Sequence, residues 1–149
     1  MEKKEELLQF CWDYVNQRTE RLENSGASLQ ESLDSETKSS AGDKHETGRA
    51  MVQLEQEKLA QQLQELNRTK AVLQKIDIEK KTDKIRLGSL VRTSLAQYFI
   101  AISAGVFKQE GNLIYCISSG APIAQLLLGK EVGETFSFNG TSHSVLEVE

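Results

Sequence analysis

Two carboxylates three residues apart, Asp43 and Glu46, lie in the most polar stretch of the chain, Leu33 to Ala50. Within it, Gly42-Asp43-Lys44-His45-Glu46 offers oxygen and nitrogen donors and no large apolar side chain. Magnesium is commonly held by one or two carboxylates completed by waters and substrate phosphates, so such an acid pair suits phosphoryl chemistry. The spacing is equally that of a capping box, with Asp43 as N-cap and Glu46 at the third helical position, both favoured by the positive end of a helix dipole. His45 beside two acids could add a nitrogen ligand, but a single histidine on a polar loop is more simply a solvated side chain.

Two long amphipathic patterns hold this stretch between them. Over residues 3–33, Leu8, Cys11, Val15, Leu22 and Leu29 recur at steps of three, four and seven, with Trp12 and Tyr14 widening the apolar face. Gly26 costs a helix about 1 kcal/mol relative to alanine, yet the pattern predicts a continuous helix of roughly 45 Å. Over residues 46–80, Met51 and Leu54 are expected to face inward first, followed by Leu59, Leu63, Leu66 and Leu73. Two such helices joined by a short loop make an antiparallel, coiled-coil hairpin. This assigns residues 1–82 to a helical hairpin with its tip loop at about 34–46, held away from the body as a working end.

After Lys80-Lys81-Thr82-Asp83-Lys84 the composition turns β-rich. Strands are expected from Leu87, over Gln97–Ala104, Val106–Lys108 and Leu113–Ser118, and finally on either side of Asn139-Gly140, a strong hairpin signal. Pro122 to Leu128 interrupts them with a short helix, proline being tolerated in its first turn. Residues 83–149 thus form a small antiparallel sheet domain with one short helix, whose Ile123, Leu126 and Leu127 cover one apolar face. The fold class is α+β.

Composition narrows the function. The 149 residues carry a formal net charge of -4, and residues 83–149 hold five Lys/Arg against six Asp/Glu, so no electrostatic footprint for bare nucleic acid is present. Any action on nucleic acid is expected to pass through another protein. Cys11 and Cys116, both in apolar surroundings, suggest neither a disulfide framework nor a zinc site. The opening Met-Glu-Lys-Lys-Glu-Glu reads as no signal peptide, and no apolar run reaches membrane-spanning length. A cytoplasmic protein is expected. Nucleophile elbows and phosphate-binding glycine loops are absent from the sequence, so an independent hydrolase is not indicated. His143 in the last hairpin is expected at the surface. The cluster Lys75, Lys80, Lys81, Lys84 and Arg86 reads either as a favourable helix C-terminus or as a contact for an acidic partner.

The run Gly120-Ala121-Pro122-Ile123-Ala124-Gln125-Leu126-Leu127-Leu128-Gly129-Lys130-Glu131-Val132-Gly133-Glu134 resembles the C-terminal signature of the bacterial Gre transcript-cleavage factors. In that family a Ser-Pro-Ile/Leu-Ala/Gly turn opens a short helix ending in Leu-Gly-Lys-x-x-Gly-Asp, followed by a final hairpin. The layout also resembles that of the GreA and GreB proteins, an N-terminal helical hairpin followed by an FKBP-like sheet domain. The resemblance implies an accessory factor, not an enzyme, that binds RNA polymerase near its secondary channel. Docking would use the sheet domain, including the turn Ala121, Pro122 and Ile123. The hairpin would reach down the channel, and Asp43 and Glu46 would help hold a magnesium ion shared with the polymerase active site, so that backtracked RNA is cleaved. No tightly bound cofactor of its own and a monomeric state are expected.

The family's tip continues through Asn-Ala-Glu-Tyr, whereas Thr47-Gly48-Arg49-Ala50 follows here, and Lys44-His45 stands where the family usually has Leu-Lys. The resemblance therefore also admits a Gre-like regulator that occupies the channel without stimulating cleavage. A separate alternative is a peptidyl-prolyl isomerase on the FKBP-like fold, for which Tyr98, Phe99, Phe107, Tyr115, Phe136 and Phe138 would have to line an apolar pocket.

Overall fold

In a computed structural model of the chain, residues 2–38 and 42–149 are described, with side chains for all of these except 36–38 and 42–47. The chain divides into two compact units, Val15–Thr69, and Met1–Tyr14 together with Lys70–Glu149.

The unit Val15–Thr69 is a helical hairpin made from the later part of α1 (Glu2–Lys38) and the earlier part of α2 (Gly42–Gln74). Along α1 the shielded positions are Val15, Thr19, Leu22, Gly26, Leu29 and Leu33, alternating steps of four and three. Along α2 they are Val52, Gln56, Leu59, Leu63 and Leu66. Gly26 sits in this seam, where an added Cβ would lie 3.3 Å from Leu59 Cδ2. The helix runs through Gly26 unbroken.

Met51 and Leu54, expected to face inward, are instead 63% and 64% exposed. At about 100° per residue, Leu54 lies roughly 140° and Met51 roughly 80° around the helix from Leu59. Stepping back from Leu59 by three and then four places Gln56 and Val52 in the seam, although Gln56 is not apolar. The helices also enter the expected tip loop from both sides, α1 continuing to Lys38 and α2 starting at Gly42. Asp34–Lys38 contains neither proline nor glycine, and adding a residue to an existing helix costs little.

Helix α2 stops at Gln74, short of residue 80. Its end tightens through Lys75 N–H to Val72 C=O at 3.1 Å and Ile76 N–H to Leu73 C=O at 3.2 Å. Asp77 then accepts the Glu79 N–H at 3.0 Å, a local side-chain turn that competes with helix.

The second unit is organised around a six-stranded sheet of β1 (Leu90–Thr93), β2 (Gln97–Ala101), β3 (Gly105–Gln109), β4 (Asn112–Ser118), β5 (Thr135–Phe138) and β6 (Thr141–Val148). The short helix α3 (Pro122–Leu127) lies between β4 and β5 in the chain. The strand order is β3-β4-β2-β1-β6-β5. The sheet is mixed, not antiparallel throughout: β2 and β4 pair in parallel, with Phe99 opposite Cys116. Glu110-Gly111, at φ 49° and 82°, makes a two-residue turn of the primed type that folds β3 onto β4. Strand β4 then runs in the direction of β2 and inserts beside it. Asn139-Gly140, at φ 53° and 79°, makes the same kind of turn between β5 and β6.

Both faces of the sheet are covered. On one, Ile123 and Leu127 of α3 join Val91, Tyr98, Ile100, Phe136 and Val145 in a cluster that Leu126 packs against. Strand alternation sends Phe99, Ala101, Ile114 and Cys116 to the other face, where they too are buried. There the first turns of α1 supply Leu7 and Cys11, both at 0% exposure, and Phe10 meets Phe107 edge-on at 5.4 Å. The continuous apolar run Tyr98-Phe99-Ile100-Ala101-Ile102 is what a strand buried on both faces requires.

Candidate functional site

At the start of α2, Gly42 is the first helical residue and Asp43 the second, so Asp43 lies inside the first turn instead of preceding it as an N-cap. A carboxylate there still benefits from the helix dipole. Residues three apart are neighbours on a helix surface, which puts positions 43 and 46 on one face. The side chains of Asp43, Glu46, Lys44 and His45 lie outside the described residues. Among the described residues, no three or more His, Cys, Asp and Glu side chains gather where they could hold a metal ion.

The signature run is built as one stitched turn-helix-loop. Ala121 is extended, at φ -62° and ψ 145°, and its N–H donates to the Ser118 C=O at 3.1 Å. Pro122 then takes the first helical position, where its missing N–H costs nothing. The Gln125 side-chain amide donates to the Ser119 C=O at 2.6 Å, closing the turn. After Leu128, Gly129 adopts φ 84°, its N–H donating to the Ile85 C=O at 2.8 Å, while Ile85 N–H returns to Lys130 C=O at 2.9 Å. Gly133, at φ 93°, donates to the Val145 C=O at 2.9 Å, and Glu134 accepts the Glu131 N–H through its side chain. Gly129 and Gly133 thus tie the loop after α3 to Ile85 and to β6, while the Glu134 side chain braces the loop itself. Of the three turn residues, Ile123 is buried in the core, Ala121 is half-buried and Pro122 is exposed. Val132, in the loop that follows, is 58% exposed.

The basic cluster lies beyond the end of α2, whose last turn contains no basic residue. Lys75, Lys80, Lys81 and Lys84 are exposed and Arg86 is half-buried. They alternate with Asp77, Glu79 and Asp83, so the loop is charged in both signs. A cavity beside it is lined by Lys4, Ile78, Lys81, Thr82, Asp83, Val148 and Glu149. Lys4 is only 4% exposed. Burial holds its amine below the ordinary lysine value of 10.5 and Arg86 adds to this, while Glu149 and Asp77 pull the other way. Sequence inspection passed over Lys4 as one more polar residue near the start. Its position on the stripe Lys4-Leu7-Cys11-Val15, with steps of three and four, was the available signal.

His143 is half-buried, not a free surface group, and its ring lies 5.6 Å from that of its cross-strand partner Phe136. The six aromatic residues considered for an isomerase pocket are split: Tyr98, Phe136 and Phe138 lie at the α3 cluster and the other three elsewhere. Phe99 is fully buried among the second-face residues, Phe107 is engaged by Phe10, and Phe136 sits in the α3 cluster. Tyr98 and Tyr115 stand 6.0 Å apart, and Tyr115 lines a surface groove with Leu95, Leu113 and Arg92. Among the described residues, no helix is long and apolar enough to cross a membrane.

No protein-family model matches the chain, and no curated protein matches it. Among solved structures it is similar to the GreA factor homolog 1 (Gfh1) protein of Thermus thermophilus, at 20% identity over 95% of this chain and 94% of that one, with a TM-score of 0.35. It is likewise similar to a structure of the transcription factor Gfh1, at 19% identity over 95% and 92% of the two chains, also with a TM-score of 0.35. At this identity and superposition, the likeness carries no functional argument.

Proposed function

We propose that this chain is a Gre-like transcription elongation factor that binds RNA polymerase near the secondary channel and stimulates cleavage of backtracked RNA by the polymerase. The observation that carries this reading is the Gly120–Glu134 run. Its proline opens a short helix, and Gly129 and Gly133 tie the loop after that helix to Ile85 and to β6, in a chain whose sheet follows a long helical hairpin.

On this reading the protein has no catalytic centre of its own and acts as a monomer in the cytoplasm. The sheet domain docks, with Pro122 as the exposed member of the Ala121-Pro122-Ile123 turn, and the hairpin end carries Asp43 and Glu46 to the polymerase active site. Oxygen donors from two carboxylates suit magnesium but do not complete its shell, which leaves positions for water and phosphate oxygens. The ion, when bound, supplies water activation and charge stabilisation for phosphodiester hydrolysis. Asp43 and Glu46 would hold it from one helix face, near a helix N-terminus that favours negative charge.

A second reading rests on the tip sequence: Gly48 loosens the first turns of α2, and Thr47-Gly48-Arg49-Ala50 brings no third acid and no aromatic. Such a protein would occupy the channel without promoting cleavage. One experiment separates the two, RNA cleavage in a stalled, backtracked complex of the cognate polymerase, with binding followed in the same samples. Faster cleavage, lost in an Asp43→Ala, Glu46→Ala double variant that still binds, is the expected result. Binding without faster cleavage establishes the second reading, and absence of binding overturns both.

A further inference from the structure

Three polar or charged side chains are buried among the described residues: Lys4, Ser89 and Thr93. Two of them are satisfied. Ser89 Oγ accepts the Arg86 N–H at 3.0 Å, and Thr93 Oγ1 donates to the Ala96 C=O at 2.8 Å. Lys4, in the first turn of α1, is 4% exposed. Among the described residues, no carboxylate lies within ion-pair distance of its ammonium and no hydrogen bond satisfies it. A lysine ordinarily carries its ammonium out to water, and a buried charge is ordinarily paired. Lys4 does neither. Methionine would fill similar space without that cost, so the charge at this position calls for an anion.

The fold leaves room for one. Lys4 lines a cavity of about 420 Å³ in the sheet-containing unit. Two of the other lining residues, Ile78 and Val148, are apolar and half-buried, whereas Lys81, Asp83 and Glu149 are exposed. Thr82 completes the lining, but its hydroxyl is committed, donating to the Lys84 C=O at 3.0 Å and accepting the Lys84 N–H at 3.1 Å. Lys4 is thus the buried donor with nothing to bond. Two lysines and two acids leave the lining without net charge, which disfavours a multiply charged anion such as phosphate.

We propose that this cavity binds a small aliphatic monocarboxylate, its carboxylate paired with the Lys4 ammonium and its hydrocarbon body against Ile78 and Val148. A single negative charge meets the single buried cation, and each methylene buried beside it raises affinity by about fourfold. Burial holds the Lys4 amine below the ordinary 10.5 and Arg86 adds to this, with Glu149 and Asp77 opposing only in part. A paired carboxylate favours the ammonium and so offsets that burial. None of these residues takes part in the proposed polymerase chemistry, and the site stands or falls independently of it.

The test titrates sodium hexanoate into the full chain at pH 7, followed by calorimetry and by amide NMR. The expected result is one saturable site per chain, with shifts concentrated at Lys4, Ile78, Thr82 and Val148, and a Tm that rises with hexanoate concentration. Acetate, which has the charge but little body, should bind about tenfold more weakly or worse. Neither 1-hexanol nor inorganic phosphate should shift these amides. Lys4→Met removes a buried charge and is expected to fold; it should lower hexanoate affinity by about 10–100-fold. Lys81→Ala, at an exposed lysine of the lining, should change it by less than about threefold. Absence of saturable binding, shifts confined to other residues, or undiminished affinity in Lys4→Met would each overturn the proposal. Binding of 1-hexanol as tight as that of hexanoate, or displacement of hexanoate by phosphate, would do the same.

Discussion

The two units of this protein are stabilised in opposite ways. The sheet-containing unit buries Phe99, Ile100, Ile114, Leu127, Val91 and Val145 to 1% exposure or less, on two faces of one sheet. Among the described residues of Val15–Thr69, only Val15 and Leu66 reach burial, and the rest of the seam is half-covered. A two-helix hairpin has no third element to close over its stripe, so each seam residue keeps a wet edge. On the proposed function the difference divides tasks: the sheet unit would supply cohesive energy, and the hairpin would present its end to the polymerase.

The sharpest way to break that contrast is to truncate equivalent side chains on each side of it. Phe99→Ala removes a fully buried ring from the most central strand pair and should cost about 3–5 kcal/mol in urea denaturation. Leu63→Ala, in the half-covered seam, should cost about 1 kcal/mol. Equal losses at the two sites would mean the hairpin is packed as tightly as the sheet, and the division of tasks would fail.

Lys4 tests the sheet unit from the side of charge. Its amine loses its proton at lower pH in the folded chain than in the unfolded chain. Between the lowered folded value and 10.5 the unfolded chain binds more protons, so this group makes stability rise with pH through that window. Below the window the buried ammonium is a standing cost, only partly offset by Glu149 and Asp77. Lys4→Met should therefore stabilise the protein by about 1 kcal/mol at pH 7, with the gain shrinking towards pH 10. Chemical denaturation of both proteins at the two pH values checks it; a loss of stability at pH 7 would show that the ammonium is compensated in place.

Legibility in the sequence followed the same division. Asn139-Gly140 and Pro122 announced their turn and helix because each has a strong local backbone preference. The parallel pairing of β2 with β4 could not be read, because side-chain alternation is the same for either direction. The gap between the expected strands Val106–Lys108 and Leu113–Ser118 left room for a turn but did not reveal the strand insertion that follows it. In the hairpin, side-chain size points to Met51 and Leu54 as inward, yet the seam passes through Gln56 and Gly26 while those two are exposed. A narrow, half-wet stripe tolerates polar and small residues, so hydrophobicity alone sets its register poorly. For the candidate site, spacing identified Asp43 and Glu46 but could not separate a capping box from a metal-holding pair. The turn Ala121-Pro122-Ile123 was recognisable as a unit, although only packing reveals that Ile123 belongs to the core.

Gly26→Ala is a finer probe of the seam. Alanine gains about 1 kcal/mol of helix propensity, and its Cβ would meet Leu59 Cδ2 at 3.3 Å. Leu59 is half-buried and can turn aside, so a net stabilisation of about 0.5 kcal/mol is expected in urea denaturation. Destabilisation beyond about 1 kcal/mol would reveal a rigid, close helix approach at this point.

The smallest effect is expected at Leu54, and its smallness is informative. At 64% exposure this leucine leaves most of its surface in water, so Leu54→Gln removes little buried area and retains a good helix former. The midpoint of urea denaturation should move by less than about 0.5 kcal/mol equivalent. A loss as large as that of Leu63→Ala would place Leu54 in the seam and shift the hairpin register. That shift would turn the helix face carrying positions 43 and 46, because both lie on the same continuous α2 as Leu54. A silent Leu54→Gln therefore supports the register on which the placement of Asp43 and Glu46 depends.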